Sequence, residues 1–600
     1  MITSQILFLP IEILLEIILQ KYFIHSYCIT VVSEEPLNFK TLIPFITLMP
    51  NETNFVELLL DASDKGCSDY VVKMKNAQEF MTAFEKVSHL GLLRRSDRKI
   101  LILPHSEEND VQDKDTILKV LSMDETRFVT NILLLIGATP FMKDNSCIVY
   151  DLATHQYVGS EDVRKPIYLD HWNSCTGFTY NANLFPHYNM SNLYGKTLKL
   201  ACFNYKPYSF LDLDISLEPL GRDGMEVRVM DEFCRWVNCT IEIVRDDNQW
   251  GEIYSYENLT GVGVIGNVVK DEADVGISAL YSWYEEYVAL DFTAPLVRTV
   301  VTCIAPAARL LASWELPLLP FSFYMWLGLG FTFLYSSLAL MIAKGFSTDK
   351  IFLTTFGMMI TQSQHDAGST WRIRSVTGWL LITGLVLDNA YGSGLASTFT
   401  VPKYEQSIDT VQDIVDRNME WGATHDAWIF SMILSPEPLV KKLVSQFRIY
   451  SAEELKRKSF TREMAFSIEK LPAGYFAIGD YITKEAVDNL EIMVENFYYE
   501  QCVAMLRKSS PYTEKITALV GRLHESGLML AWETQVALKH LDYKIQIEVK
   551  LSRSRREVDT IEPLSFRNVI GIFIIYVAGT IISALVFFGE VIKIKKFKNW

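Results

Sequence analysis

The chain has 600 residues, a formal net charge of −16 and 49% hydrophobic residues. That length exceeds a single soluble core, and the hydrophobic share points to membrane segments. The acidic balance, with no long basic block, argues against a nucleic-acid partner.

Residues 1–22 are apolar enough to be read as a signal peptide, although Glu12, Glu16 and the lack of a basic start fit one poorly. Residues 23–190 alternate short apolar runs with polar helical stretches. Strands are predicted at Ile100–Pro104, Asn131–Ile136 and Cys147–Asp151, with a helix over Asn76–His89, giving a small amino-terminal α/β domain. A second α/β unit spans 196–312, with a strand at Leu198–Phe203, a helix over Met225–Asn238 and a strand at Thr240–Val244.

Leu316–Ala343 and Asn568–Gly589 carry no charge, and each exceeds the roughly 20 residues that cross ~30 Å of hydrocarbon. Ile351–His365 is too short to cross and reads as a re-entrant loop, tolerated only where it is buried or lines water. Within 375–401, the apolar stretch Val376–Leu387 passes into small and hydroxyl residues beside a lone acid, Asp388. Small side chains leave room at a crowded axis and a lone charge must face water or a partner, so this reads as a pore-lining helix.

Positive charge fixes the topology. Lys344, Lys350, Arg372 and Arg374 flank the short run, and Lys593, Lys595, Lys596 and Lys598 follow the last span, so both groups are cytoplasmic. Residues 402–566 are then extracellular and 590–600 form a cytoplasmic tail. In 402–566 a helical stretch within Ser407–Asp416, starting from Thr410 with Asp409 as its N-cap, a strand at Glu420–Thr424 and another near Tyr475–Asp480 repeat the βα pattern. The two α/β stretches read as halves of one bilobed clamp, which closes by hinge motion.

The sequons at Asn51, Asn189, Asn238 and Asn258 all precede the first span, on the extracellular side. Nine cysteines show no zinc-type spacing; an exported chain can pair some, and the odd count leaves at least one unpaired. No nucleophile–His–acid motif, Gly-rich phosphate loop or metal spacing is seen, so neither an enzyme nor a cofactor is expected.

The pore-helix segment Ala390-Tyr-Gly-Ser-Gly-Leu-Ala-Ser-Thr-Phe-Thr400 resembles, without a gap, the Ser-Tyr-Thr-Ala-Asn-Leu-Ala-Ala-Phe-Leu-Thr signature of ionotropic glutamate receptors. Gly224-Met-Glu, Ala273-Asp-Val-Gly-Ile-Ser-Ala-Leu and Asp291-Phe-Thr-Ala-Pro resemble three further motifs of that family. The resemblance covers 196–590. The short amino-terminal domain, Gln156-Tyr-Val-Gly, Asn183-Leu-Phe-Pro and Trp421-Gly-Ala-Thr-His-Asp-Ala-Trp look more like the divergent ionotropic receptors of insects.

The resemblance implies α/β plus membrane α: a split periplasmic-binding-protein-like clamp, three transmembrane helices (316–343, 375–401, 568–589), a re-entrant pore loop and a small α/β amino-terminal domain. It implies gate residues Tyr391, Gly392, Ser393, Gly394, Leu395 and Ala396, and pore-tip residues Gln362, Gln364 and Asp366 that attract cations in a tetramer. It also implies a plasma-membrane heterotetramer with co-receptor subunits, embedded in lipid and passing cations. Cys502 stands alone in the second half, so the disulfide that braces this lobe in the family has no partner there.

The cleft residues implied are Met225, Ala279, Tyr281, Glu286, Thr424 and Asp480. Glu286 falls where the family has an arginine for the agonist's carboxylate. It would repel that group by ~4 kcal/mol at an effective dielectric near 20, which argues against glutamate or glycine. Two readings of Glu286 stand: it faces Asp480 across the cleft and selects a small amine, or it is a solvated residue of a clamp without a small ligand. The functions that follow are a chemosensory cation channel subunit, a thermo- or hygrosensory one, or a non-conducting membrane-tethered binding protein.

Overall fold

The computed structural model describes residues 9–50, 54–105, 111–137, 147–160, 165–186, 190–216, 218–309, 311–312, 314–346, 350–363, 370–401, 404–554 and 566–598. Two compact units result: 1–304 with 410–486 and 494–547, and 305–409 with 487–493 and 548–600.

The first unit opens with helix Pro10–Tyr22. Its Ile11, Leu14, Leu15, Ile18 and Leu19 are buried against one face of a sheet. The sheet runs Phe45–Leu48, Ile29–Ser33, Asp69–Lys73, Lys99–Ile102, Asn131–Gly137, Val149–His155, Pro166–Asn173, Gly177–Phe178. Pairing is parallel through Asn131–Gly137 and antiparallel beyond it. The period-2 alternation of a strand sorts the core. Val72, Ile100 and Ile102 meet helices Phe55–Asp64 and Ala77–Leu90, while Val71, Leu101 and Leu103 meet Pro10–Tyr22. Asn76 caps Ala77–Leu90 by accepting from the Gln78 N–H at 3.3 Å.

The second sheet joins both halves of the interrupted α/β region. Its main path is Cys239–Val244, Lys196–Ala201, Val275–Tyr281, Tyr498–Arg507, Val297–Pro306, Met464–Lys470, Glu420–Ala423, Phe447–Ile449. Each end of the path is parallel. The two long strands Val297–Pro306 and Tyr498–Arg507 run antiparallel between them. A pair of α/β lobes connected by two strands is the build of a clamp. The second-half helix begins at Val411, one residue after the expected start at Thr410. Thr410 caps it rather than Asp409, because Thr410 and Asp413 form a reciprocal capping box; Asp409 binds Arg553 instead.

The predicted strand near Tyr475–Asp480 is reduced to Phe476–Ala477. Disulfides join Cys28–Cys67, Cys147–Cys175 and Cys234–Cys239, and Cys202, Cys303 and Cys502 are buried thiols. The two sheets are tied by Arg507, 4% exposed, which pairs with Glu85 and with Asp271.

In the second unit, Phe323–Ala343 and Val569–Gly589 are long and apolar enough to cross a membrane, and their most apolar stretches are largely exposed. Trp371–Thr400 is also long, at 30 residues, but Arg372, Arg374, Asp388 and its hydroxyl residues leave it too polar to qualify by composition. Ile351–Met359 is a short helix packed with Leu340 and Leu380. Gly384 permits that approach: a Cβ there would lie 2.4 Å from the Met358 carbonyl oxygen.

Candidate functional site

Glu469 organises the cleft between the lobes. It sits on Met464–Lys470 opposite Val301 and is 1% exposed. Its Oε1 accepts from the hydroxyls of Tyr205 and Tyr281, each at 2.7 Å. Its Oε2 accepts from Tyr208 and, at 3.1 Å, from Thr299. Four hydroxyls of the first half thus grip one carboxylate of the second. Burial pushes that carboxyl above its ordinary range, against the pull of the hydroxyls.

Trp250, Ala279, Tyr281, Trp283, Ala427 and Trp428 wall the space beside Glu469. Trp283 Nε1 donates to Ser431 Oγ at 3.1 Å, and Tyr498 donates to the Trp428 carbonyl at 2.6 Å. The void left is about 10 Å³, room for a single water. No Arg or Lys is among the described lining residues.

A second buried carboxylate underlies the wall. Glu226, fully buried, follows the tight Gly224 turn, where a Cβ would meet the Tyr208 carbonyl oxygen at 2.3 Å. Its Oε2 accepts from the Ser278 and Ala279 N–H groups at 2.7 and 3.0 Å. Those two residues adopt φ of 101° and 55° at a bulge in Val275–Tyr281, conformations that need such support. Burial pushes the Glu226 carboxyl up to about 7, opposed by the Ala279 and Ser278 N–H groups, with the Glu469 charge adding to the rise.

The folded chain therefore holds the proton more tightly than the unfolded one, whose value is 4.5. This contribution to stability is complete below about 4.5 and is lost as pH rises through about 7. Glu226→Gln is expected to raise the melting temperature relative to the parent more at pH 8 than at pH 5, read by thermal unfolding of the full chain. Equal differences at both pH values would contradict it.

The residues implied by sequence distribute as follows. Ala279 and Tyr281 line the cleft. Met225 is buried at the start of helix Met225–Val237. Thr424 reaches Gln249 of the other lobe at 3.5 Å. Glu286 lies in helix Tyr284–Ala289 and is 6% exposed, so it is not solvated, and burial raises its pKa. Asp480 is an exposed side chain bound to Lys206 at 2.9 Å, and no described contact links it with Glu286. The carboxylate in the cleft is Glu469, which the sequence reading passed over. Its signal was an acid inside an otherwise buried strand, Met-Ala-Phe-Ser-Ile-Glu-Lys.

In the second unit, Tyr391 donates to the Pro317 carbonyl at 2.9 Å, and Gly394 leaves 3.0 Å between a Cβ and Pro320. Gly392, Ser393, Leu395 and Ala396 continue the same helix. Gln362 follows Ile351–Met359, its N–H bonded to the Gly357 carbonyl. Gln364, Asp366, Asn51 and Asn189 lie outside the described residues; Asn238 and Asn258 are exposed. Two metal-type groupings, Glu85–His89–Asp271 and Glu218–Asp223–His540, already hold internal cations, Arg507 in the first and Arg228 with Lys539 in the second.

Residues 322–580 match the protein family described as ligand-gated ion channel. The chain is 22% identical to the ionotropic glutamate receptor delta-2 of Mus musculus, over 69% of this chain and 43% of that receptor. It is 22% identical to the ionotropic kainate-type glutamate receptor glr-3 of Caenorhabditis elegans, over 67% of this chain and 49% of the other. A probable glutamate receptor of Gallus gallus is 22% identical over 47% of this chain and 61% of its own length. The chain thus spans less than half the length of the first two. The matches support the ionotropic glutamate receptor superfamily, a family of ligand-gated channels rather than enzymes, and with the two apolar helices they indicate a membrane protein.

Proposed function

We propose, with the ionotropic glutamate receptor superfamily as premise, that this chain is a subunit of a sensory cation channel of the insect divergent type, opened by closure of its split clamp and not by glutamate. The observation that carries the reading is the cleft: a buried carboxylate, Glu469, walled by Trp250, Trp283 and Trp428, with no basic side chain in its described lining. Such a site repels a carboxylate ligand and suits an ammonium group, which a carboxylate and aromatic faces both attract. Assembly is with co-receptor subunits in a plasma-membrane tetramer, glycosylated at Asn238 and Asn258. The strand Val297–Pro306 leads by chain connectivity toward the first spanning helix, so hinge closure has a covalent route to the pore.

The test is voltage clamp of the chain co-expressed with the co-subunits that carry it to the surface. Small alkylammonium ligands are expected to evoke cation currents, glutamate and glycine none, and Glu469→Gln at unchanged surface level to shift the response at least about tenfold. Currents evoked by glutamate would contradict this. A second reading has its own support: the void of about 10 Å³ shows the cleft filled by its own side chains, as suits a temperature- or humidity-gated subunit. Silence to every amine with currents on temperature or humidity steps selects that reading.

A further inference from the structure

A second cavity lies wholly within the helical unit, and what it holds does not depend on the clamp reading. Helices Phe323–Ala343, Ile351–Met359 and Trp371–Thr400 line an open-sided space of about 490 Å³, with Asp388 exposed on its wall, within the ~300–1,000 Å³ typical of small-molecule sites. Trp326, Phe333, Phe356, Leu387 and Tyr391 give it an aromatic and aliphatic wall, and one charged group, Asp388, lines it. No basic side chain is among the described lining residues. The hydrogen bond recorded for the carboxylate comes from the Thr361 hydroxyl at 3.3 Å.

A carboxylate at membrane depth is costly unless it meets a cation or water. A hydroxyl neutralises no charge, so the described residues supply dipole but no counter-charge. Aromatic rings beside a carboxylate are the surroundings that hold an ammonium group, and the rest of the wall asks for an apolar body. We propose that this cavity binds a hydrophobic organic amine, its ammonium on Asp388 and its body among Trp326, Phe333 and Phe356. Charge complementarity selects this occupant over a neutral lipid tail, which would leave the carboxylate uncompensated.

The space can be filled from inside the chain. Gly330 lines the cavity and a Cβ there meets nothing within 4 Å, so a larger residue grows into the void without striking the backbone. The full chain in lipid nanodiscs is titrated with tritiated 4,4-diphenylbutylamine and, separately, with its neutral counterpart 4,4-diphenylbutan-1-ol. Saturable binding of the amine is expected, at least about tenfold tighter than that of the alcohol.

Asp388→Asn is expected to erase the amine's advantage while leaving the alcohol unchanged, and Gly330→Leu to abolish both. Non-saturable uptake, an amine preference that survives Asp388→Asn, or amine binding indifferent to Gly330→Leu would overturn the proposal. The last of these would place the amine in the conduction path instead. Should Asp388→Asn fail to assemble, Gly330→Leu and the amine-to-alcohol ratio of the parent still decide. Clamp ligands play no part in the measurement, so a failed clamp reading leaves it intact.

Discussion

Glu469→Leu is expected to abolish a folded, surface-expressed chain, or to lower its melting temperature by more than any other single cleft substitution. The leucine removes the acceptor for Tyr205, Tyr208, Tyr281 and Thr299 at once. A hydroxyl left buried without a partner costs about 1–3 kcal/mol. Four together cost at least about 4 kcal/mol, against a typical domain stability of about 5–15 kcal/mol. Glu469→Gln keeps a carbonyl acceptor and is expected to melt much closer to the parent, which is why it serves the functional tests. Fluorescence-detected size-exclusion melting of the full chain reads both. A leucine variant that melts with the parent would show that the hydroxyls find other partners and that the cage does not hold the lobes together.

The other large effect lies in the helical unit. Gly384→Ala is expected to disrupt conduction, whereas Gly378→Ala, six residues earlier on the same helix, is expected to be tolerated. At Gly384 the new Cβ would stand 2.4 Å from the Met358 carbonyl oxygen and 3.2 Å from that of Met359; at Gly378 it meets nothing within 4 Å. Both obstacles at Gly384 are backbone, so a rotamer change cannot relieve them. Overpacking of this kind costs about 1–3 kcal/mol and displaces the neighbour. The neighbour is Ile351–Met359, followed by Gln362 bonded back to its Gly357 carbonyl, so unitary conductance and ion selectivity should change along with the yield of assembled channel. Equal behaviour of the two alanine variants in single-channel recording would contradict the packing seen here.

How far these features could be read from sequence depends on whether their causes are local. Apolar runs such as Asn131–Gly137 and the capped helix Ala77–Leu90 follow from alternation and a cap, and they fall within a residue or two of the sequence reading. Helix Val411–Asp416 starts one residue later than the sequence suggests because Thr410, through its capping box with Asp413, takes the cap position in place of Asp409. The cleft was harder. Ala279 and Tyr281 were placed by motif, but the second-lobe acid was sought at Asp480, where Lys206 compensates an exposed carboxylate.

Nothing local marks Glu469 as the centre, since its partners come from positions 205, 208, 281 and 299, far away in sequence. Exposure is the usual state of a glutamate, which favours the solvated reading of Glu286 over the cleft reading from sequence; tertiary packing of Tyr284–Ala289 buries it. The third helix illustrates the reverse. Composition makes Trp371–Thr400 too polar to qualify as a span by hydropathy, while the small residues that lower its hydropathy are the ones that let it approach Met358 and Pro320.

The decisive measurement is thiol accessibility at Leu395. With Leu395→Cys in the surface-expressed complex, a charged methanethiosulfonate is applied at rest and during stimulation. A clamp that opens the Tyr391–Ala396 segment predicts irreversible block of current, faster modification during stimulation, and loss of that acceleration in Glu469→Gln. A cysteine that stays unreactive under every stimulus, or reacts at one rate regardless of stimulus, would contradict the coupling of cleft to pore.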